Sequence, residues 1–493
     1  MMKYILVIDQ GTSSTREIIF DNEGVIVSQS QRDITQYFPQ NGWVEHDVEE
    51  IWQKVRMTCQ RALQKANLKA SDICACGLSN QRETTVLWHK ETGEALHRAI
   101  VWQDRRTSEY CEQLKTAGHS DLIRDKTGLL LDPYFSASKI HWLFKNVPAV
   151  QPLADKGLLA FGTIDSFLLW RLTNDKNHVT DITNASRTLL FNIHSQIWDE
   201  ELLALFSLPR QILPQVLDCN ANFGHIDKKY FGAAIPILGV AGDQQAALIG
   251  QGCFKAGMLK ATYGTGGFLL LNSGKSVVAS DNGLLSTIAY RIDGDTAYGV
   301  EGGIFNAGTT IKWLRDELGL LDNAAQSEQV ASSVVDHGGV YFVPAFTGLG
   351  APYWDANARG AIMGLTRNSE RGHIVQAALA AVAYQTRDII DCMQKDGQQS
   401  ISALRVDGGM SANRWLLQFL ADILRVPIQT LYATEMTALG VMFLAGLGVG
   451  MYENLNDINA LWDRANEYLP RMDITHSEAL YAGWQNSIVR IKS

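Results

Sequence analysis

Seven cysteines in 493 residues supply no disulfide framework. Cys59, Cys74, Cys76, Cys111, Cys219, Cys253 and Cys392 are an odd, scattered set, which argues for a reducing compartment and hence the cytoplasm. Cys74-Ala-Cys76 alternates inside an apparent strand and reads as small core residues rather than metal ligands. No run of Lys or Arg is present and the net charge is −9, so non-specific nucleic-acid binding is disfavoured. The N-terminal apolar run Tyr4–Ile8 stops at Asp9, too short for a signal sequence. The longest apolar stretch, Thr437–Tyr452, falls short of a membrane span. It contains Gly440, Gly446, Gly448 and Gly450 and reads as a buried helix packed closely through glycines. Tandem repeats, low-complexity segments and long linkers are also missing. What remains is 46% hydrophobic and 19% charged, the make-up of a globular enzyme long enough for two large domains.

The most informative stretch is Asp9-Gln10-Gly11-Thr12-Ser13-Ser14-Thr15-Arg16, set between the apolar runs Tyr4–Ile8 and Glu17–Phe20. It predicts strand, tight turn, strand. Backbone N–H groups exposed around Gly11 and the hydroxyls suit phosphate oxygens. Asp9, at the strand end, stands where a Mg²⁺-directing carboxylate belongs. A plain hairpin rich in Thr and Ser is the alternative. Related signals recur. The strand Ile237–Gly242 ends at Asp243, and Lys260-Ala-Thr-Tyr-Gly264-Thr265-Gly266-Gly267 is a second Gly/Thr turn. Leu404-Arg-Val-Asp407-Gly408-Gly409 leads through Asn413 into a helical pattern. A helix N-terminus behind paired glycines suits a nucleotide. Three glycine turns and two strand-end acids predict two related halves closing on one nucleotide–Mg²⁺.

Between these signals, Asp47 and Glu50 have capping-box spacing before the apolar face Ile51, Val55, Cys59, Ala62 and Leu63. Strands are expected at Ile73–Leu78 and Thr84–Trp88. The second half repeats the logic, with strands near 259–271, 297–301 and 402–407 and helices near 304–318, 371–395 and from about 411. Mixed strands and helices imply an α/β fold. The domain boundary is expected near Gly250–Gly252, dividing the chain into residues 1–251 and 252–493.

The chain resembles the FGGY family of sugar kinases in the actin-like ATPase superfamily. Tyr134-Phe-Ser-Ala-Ser-Lys139-Ile-His-Trp142-Leu-Phe-Lys-Asn146 looks like the group's first signature. Gly348-Leu-Gly-Ala-Pro-Tyr-Trp-Asp355 with Arg359-Gly-Ala-Ile-Met-Gly-Leu-Thr366 looks like the second. Gly42-Trp-Val-Glu-His-Asp47, Ser79-Asn-Gln-Arg82-Glu83-Thr-Thr85, Ile100-Val-Trp102-Gln and Thr183-Asn-Ala-Ser-Arg187-Thr look specifically like the members that phosphorylate glycerol. The resemblance implies two RNase-H-like domains with mixed sheets flanking a deep cleft, residues 1–251 as the N-terminal glycerol-binding domain and 252–493 as the C-terminal nucleotide-binding domain. It further implies ATP-dependent conversion of glycerol to sn-glycerol 3-phosphate, with Mg²⁺ and a homo-oligomer, dimer or tetramer. Another polyol or pentulose kinase is the alternative within the family. An actin- or chaperone-like ATPase is the alternative outside it.

Carried residue by residue, the resemblance implies Asp243 as general base and, with Asp9, as metal-directing carboxylate. Arg82, Glu83, Trp102, Tyr134, Asp243, Gln244 and Phe268 match the glycerol contacts. Thr12, Ser13, Ser14, Arg16, Thr265, Gly308, Lys312, Gly409 and Asn413 match nucleotide contacts, although some relatives carry Gln where Lys312 stands. An N-cap of the following helix is the plain alternative for Asp243, and a surface ion pair for Arg82-Glu83. The segment Gly224-His-Ile-Asp-Lys-Lys-Tyr-Phe-Gly-Ala-Ala-Ile235 departs from the family. Some relatives carry there a Gly-Lys-Gly-Gly-Thr-Arg loop that binds fructose 1,6-bisphosphate, and others a phosphorylatable His where this chain has Lys229.

Overall fold

The first apolar run folds as β1 (Tyr4–Gln10) and turns back through Gly11 into β2 (Ser14–Phe20), with Asp9 opposite Arg16. The computed structural model describes residues 3–492 apart from 174, 356, 398, 399, 433, 434 and 463. Antiparallel β3 (Ile26–Asp33) extends the hairpin on one side. On the other side β4 (Ile73–Asn80) pairs parallel with β1, and β5 (Ile235–Gly242) parallel with β4. The second half repeats the plan. Antiparallel β6 (Leu259–Tyr263) and β7 (Gly267–Gly274) are followed by β8 (Leu285–Ile292) and β9 (Asp295–Ile304), with β9 pairing to β7. Then β10 (Leu404–Asp407) pairs parallel with β6, and β11 (Ile428–Leu431) parallel with β10. The short strand His225–Ile226 edges the first sheet, while β8 and β12 (Arg464–Tyr468) edge the second. Both sheets thus share a mixed design, with antiparallel strands on one side of the first strand and two parallel strands on the other; in the second sheet β9 rather than β8 lies beside β7. Two related halves of α/β character are what the recurring glycine turns predicted.

Local chemistry explains the helices. α1 (Val48–Ala66) starts where the Asp47 side chain accepts from the N–H groups of Glu49 and Glu50. Its buried stripe of Ile51, Val55, Cys59, Ala62 and Leu63 lies on β2 and β3. The predicted capping box is only half formed. The Glu50 carboxylate instead accepts from Thr35 N (3.2 Å) and Oγ1 (2.9 Å) and pairs with Lys54. Farther on come α2 (Ser136–Asn146), α3 (Asp243–Gly250), α4 (Gly308–Asp316) and the long α5 (Arg371–Gly397). The helix expected from about 411 begins later, as α6 (Arg414–Leu424), because Asn413 caps it behind a single 3₁₀ turn.

The glycine-rich stretch becomes α7 (Met436–Gly448), shorter than the apolar run because Gly450 adopts φ +68° just beyond. Although it comes late in the chain, α7 packs on β1, β4 and β5 of the first sheet and along α3. The approach is close enough to demand glycine. A Cβ on Gly440 would lie 1.8 Å from the Ala246 carbonyl oxygen, and one on Gly250 2.1 Å from that of Met436. Gly77 and Gly239 of the first sheet meet the Val441 carbonyl in the same way. This helix pair fixes the β5–α3 junction, where Asp243 stands. Gly440→Ala is expected to lower the melting temperature by several degrees, since overpacking against backbone costs about 1–3 kcal/mol. Gly397→Ala, whose new methyl would meet only Val278 at 3.8 Å, should melt no lower than the parent chain. Equal melting of the two variants would refute the close approach.

Candidate active site

The predicted phosphate-facing residues lie on three turns at strand ends. In the first, Gly11 N donates to Ser14 O (2.9 Å) and Ile34 N to Ser13 O (2.8 Å), leaving Ser13 exposed. Thr12 Oγ1 accepts from the Trp102 indole N–H at 2.9 Å, and Ser14 Oγ from Gln31 Nε2 at 3.1 Å. Arg16 pairs with Glu435, the residue before α7. In the second turn, Gly264 O accepts from Gly308 N (3.0 Å), and Thr265 O from the N–H groups of Ala307 and Thr309 (3.1 Å each). This docks the turn on the start of α4 and leaves Thr265 exposed. A Cβ on Gly308 would sit 2.5 Å from Gly264 O. Lys312 projects from α4 into solvent. The third turn needs Gly408 at φ +88°, pressed against the Tyr263 backbone, while Gly409 beside it is open. Asn413 is already engaged: Oδ1 accepts from Leu416 N (2.9 Å) and Nδ2 donates to Ser327 Oγ (3.2 Å).

The two strand-end acids are near enough for the charge of Asp243 to act on Asp9. Asp243 is the first residue of α3, with Gly242 as the N-cap, so the capping role considered for Asp243 is not the one it takes. Its Oδ1 accepts from Gln244 N at 2.7 Å and lies 3.1 Å from Arg82 Nε, and the side chain stays 32% exposed. Burial pushes the Asp9 carboxyl up to about 7; Arg16 opposes this, and the charges of Glu435 and Asp243 add to it. A carboxylate disfavoured first by burial and then by neighbouring negative charge fits a site completed by a cation. No group of three or more His, Cys, Asp or Glu able to cage a metal occurs among the described residues. Two carboxylates without a protein cage match Mg²⁺, which keeps waters and binds largely through substrate phosphates.

The predicted acceptor residues converge beside Asp243. Trp102 meets Tyr134 edge-on at 5.5 Å and Phe268 at 6.4 Å. The wall therefore takes two rings from the first half and one from β7. Gln244, at the start of α3, bonds Lys260 of β6. Tyr134 is set by its own signature motif. Buried Lys139 on α2 donates to the carbonyls of Tyr134 (2.5 Å) and Phe135 (3.1 Å). Burial lowers the Lys139 ammonium to about 8, with Glu83, Asp104 and Asp132 opposing.

Arg82 and Glu83 are not a surface ion pair. They lie just past β4 and are 2% and 1% exposed, and their own closest approach is 3.9 Å. Each has a stronger partner. Arg82 makes a two-pronged bond to Glu301 of β9 (Nη1–Oε2 2.6 Å, Nη2–Oε1 3.1 Å). Arg187 donates from Nε to Glu83 Oε1 (2.7 Å) and from Nη2 to Glu301 Oε1 (3.0 Å). Burial alone would raise the Glu301 carboxyl, but Arg187 and Arg82 pull it down to about 2. For Glu83 burial prevails over the same two cations and its carboxyl is raised. Glu83 also holds φ +62°, a conformation rare for a residue with a side chain. Ser136 Oγ (3.0 Å) and Thr85 Oγ1 (3.2 Å) donate to its carbonyl and keep it there. Strain of this kind, costing roughly 1–3 kcal/mol, collects at functional sites.

Glu301, Arg187 as an ion-pair partner and Lys260 escaped the sequence reading. For Glu301 a signal existed. It is the lone charged residue in the segment Tyr298-Gly-Val-Glu301-Gly-Gly-Ile304, and a charge buried there must be paired. At the atypical 224–235 segment, Asp227 caps one helical turn and pairs with Lys229 at 2.8 Å. Tyr230 packs edge-on against Trp52 (5.1 Å) and donates to Arg171 O (3.0 Å).

Comparison with known proteins agrees with this arrangement. The sequence profile of the FGGY family of carbohydrate kinases, N-terminal domain, matches residues 4–250, and that of its C-terminal domain matches residues 259–449. Glycerol kinase of Ectopseudomonas mendocina is 55% identical over 493 residues, covering 100% of both chains. Glycerol kinase of Coxiella burnetii is 55% identical over 489 residues, covering 99% of this chain and 97% of that one. Among solved structures, Plasmodium falciparum glycerol kinase with ADP superposes at a TM-score of 0.94 with 36% identity, covering 99% of this chain and 98% of that one. Two profiles in sequence, full-length relatives and a matching fold place this chain in the FGGY family of carbohydrate kinases.

Proposed function

We propose that this protein transfers the γ-phosphoryl group of ATP to a primary hydroxyl of glycerol, giving ADP and sn-glycerol 3-phosphate. The observation that carries the reading is one cluster of aromatic and charged side chains. The rings of Trp102, Tyr134 and Phe268 stand together, and Trp102 bonds Thr12 of the first glycine turn. Arg187 joins the Tyr134 ring (5.7 Å) to Glu83 (2.7 Å), and Arg82 Nε lies 3.1 Å from Asp243. A three-carbon triol offers hydroxyls for the charges and carbons for the rings. The full-length relatives named above support the same acceptor.

In the proposed reaction Asp243 accepts the proton of the attacking hydroxyl. The hydroxyl oxygen bonds to the γ-phosphorus, the bond to the β,γ-bridging oxygen breaks, and ADP leaves with that oxygen. Arg82 holds Asp243 through Nε, so the carboxylate presents its other oxygen to the acceptor. Thr12, Ser13, Ser14 and Arg16 are assigned to the β- and γ-phosphates from one side and Thr265 from the other, with Gly308 and Gly409 beside the nucleotide. Lys312 and Asn413 are weaker assignments, the first exposed and the second occupied as a cap. Asp9 and Asp243 would hold Mg²⁺ through water, and the cation supplies charge neutralisation at the phosphates. Domains of 1–251 and 252–493 remain the proposed division. A cytoplasmic setting is supported by the seven unpaired cysteines. A dimer or tetramer is supported by the exposed apolar residues Val25, Ile26 and Val27 on and before edge strand β3.

Three outcomes test this reading. In a coupled assay of ADP release across a polyol panel, glycerol is expected to exceed 1,3-propanediol by about 10²-fold or more in kcat/KM, because buried polar partners reject an analogue lacking a hydroxyl. A pentulose that outperforms glycerol would overturn the acceptor. Asp243→Asn should lower kcat by about 10²–10⁴-fold while glycerol affinity, measured by calorimetry, changes far less. Turnover within about threefold of the parent, with chemistry limiting, would remove Asp243 as base. Millimolar fructose 1,6-bisphosphate at fixed ionic strength should not inhibit. Lys229 is spent on Asp227, and the segment offers no Arg fork for a phosphate. Saturable inhibition abolished by replacing residues 228–231 would contradict this.

A further inference from the structure

We propose that Glu301 is a positioning residue of the acceptor pocket, through which the second half of the molecule sets the places of Glu83 and Asp243 and so the choice among small polyols. The inference rests on the reading of the pocket given above and assigns a residue outside the predicted contacts. Glu301 comes from β9 in the second sheet, whereas both of its partners come from the first half. Among the described residues it is the one carboxylate hydrogen-bonded to both guanidinium groups; Glu83 bonds Arg187 and comes no nearer than 3.9 Å to Arg82. Each guanidinium reaches a pocket carboxylate with its remaining edge: Arg82 Nε lies 3.1 Å from Asp243, and Arg187 Nε 2.7 Å from Glu83. Glu301 accepts from both terminal nitrogens of Arg82, sharing Nη1 with Gln245 Oε1 (3.1 Å), and the Nε edge faces Asp243.

The charge balance makes this arrangement consequential. Two buried guanidinium groups, with buried Lys260 acting on Glu301 from farther off, stand against buried Glu83 and Glu301 and the partly exposed Asp243. Without the Glu301 charge, Glu83 and Asp243 would be the only carboxylates left to the two forks, with Gln245 still on one Arg82 nitrogen. A guanidinium binds a carboxylate best through two parallel bonds. Arg82 would therefore turn its freed fork toward Asp243, and Arg187 toward Glu83. Both movements draw carboxylate oxygens away from an acceptor and toward the protein. A salt bridge that served stability alone would behave differently. Its loss would lower the melting temperature and the active fraction, yet leave the KM of surviving molecules and their acceptor preference unchanged.

The test uses the full-length chain carrying Glu301→Gln or Glu301→Asp, with active sites counted by nucleotide binding and folding checked by thermal melting. ADP release is measured with glycerol, 1,3-propanediol and whichever polyol the parent chain uses best. In Glu301→Gln the acceptor KM should rise about tenfold or more, while the KM for ATP stays within about twofold. The preference for glycerol over 1,3-propanediol should shrink by a similar factor, and Glu301→Asp should recover part of both losses. Unchanged acceptor KM and preference in a folded variant would overturn the proposal. Should Glu301→Gln and Glu301→Asp both fail to fold, Arg187→Lys decides. It keeps the charge but loses the fork, so a raised acceptor KM supports the role and an unchanged one overturns it. A parent chain that no polyol stimulates would overturn the reading of the pocket, and this inference with it.

Discussion

Two arginines and two glutamates, buried together where the halves of the molecule meet, are the constraint on which the site depends. Arg82, Glu83 and Arg187 come from the first half and Glu301 from the second. A lone charge in that environment would be prohibitively costly, and four in alternating bonds satisfy one another. Replacing such a cluster with apolar side chains often leaves a protein as stable or more so. Stability is therefore a poor reason for its presence, and placement a better one. The cluster joins β4 to β9 and holds Asp243 by one edge. It also sits under an aromatic wall whose rings come from both halves.

How far the sequence disclosed this follows from the range of each interaction. The β1–β2 turn was legible because its causes are adjacent residues: an acid, a glycine and hydroxyls between two apolar runs. Asp47 as an N-cap was legible for the same reason. Glu50 misled because its expected partner lay three residues back, whereas the fold brought Thr35 and Lys54 to it. The start of α6 shifted because Asn413, already visible, took the cap. Glu301 could be recognised as a charge in need of a partner, but nothing local names Arg82, 219 positions away. Arg187 stood inside a quoted motif whose residues turned out to work separately. Thr183 Oγ1 meets Gly242 N at 2.9 Å, Asn184 and Asn80 exchange amide bonds, and Arg187 turns to the glutamates.

Donor and acceptor sites are also joined directly. The Trp102 indole that forms the centre of the acceptor wall donates its N–H to Thr12 on the first phosphate turn. On the proposed reading Trp102 would be amphipathic in use as well as in structure, its ring turned to the carbons of the acceptor and its N–H on the turn assigned to phosphate. Positioning of both reactants is the main demand of phosphoryl transfer. Here a single side chain serves both.

The late return of α7 bears on how this protein is made. Residues 436–448 cover one face of a sheet whose last strand ends at Gly242. During synthesis that sheet emerges with an apolar face bare, and its cover follows only after nearly two hundred further residues, roughly ten to forty seconds at ordinary elongation rates. The first half therefore cannot mature as an independent unit ahead of the second. It waits with that face uncovered, and the protein closes its oldest core with one of its youngest helices.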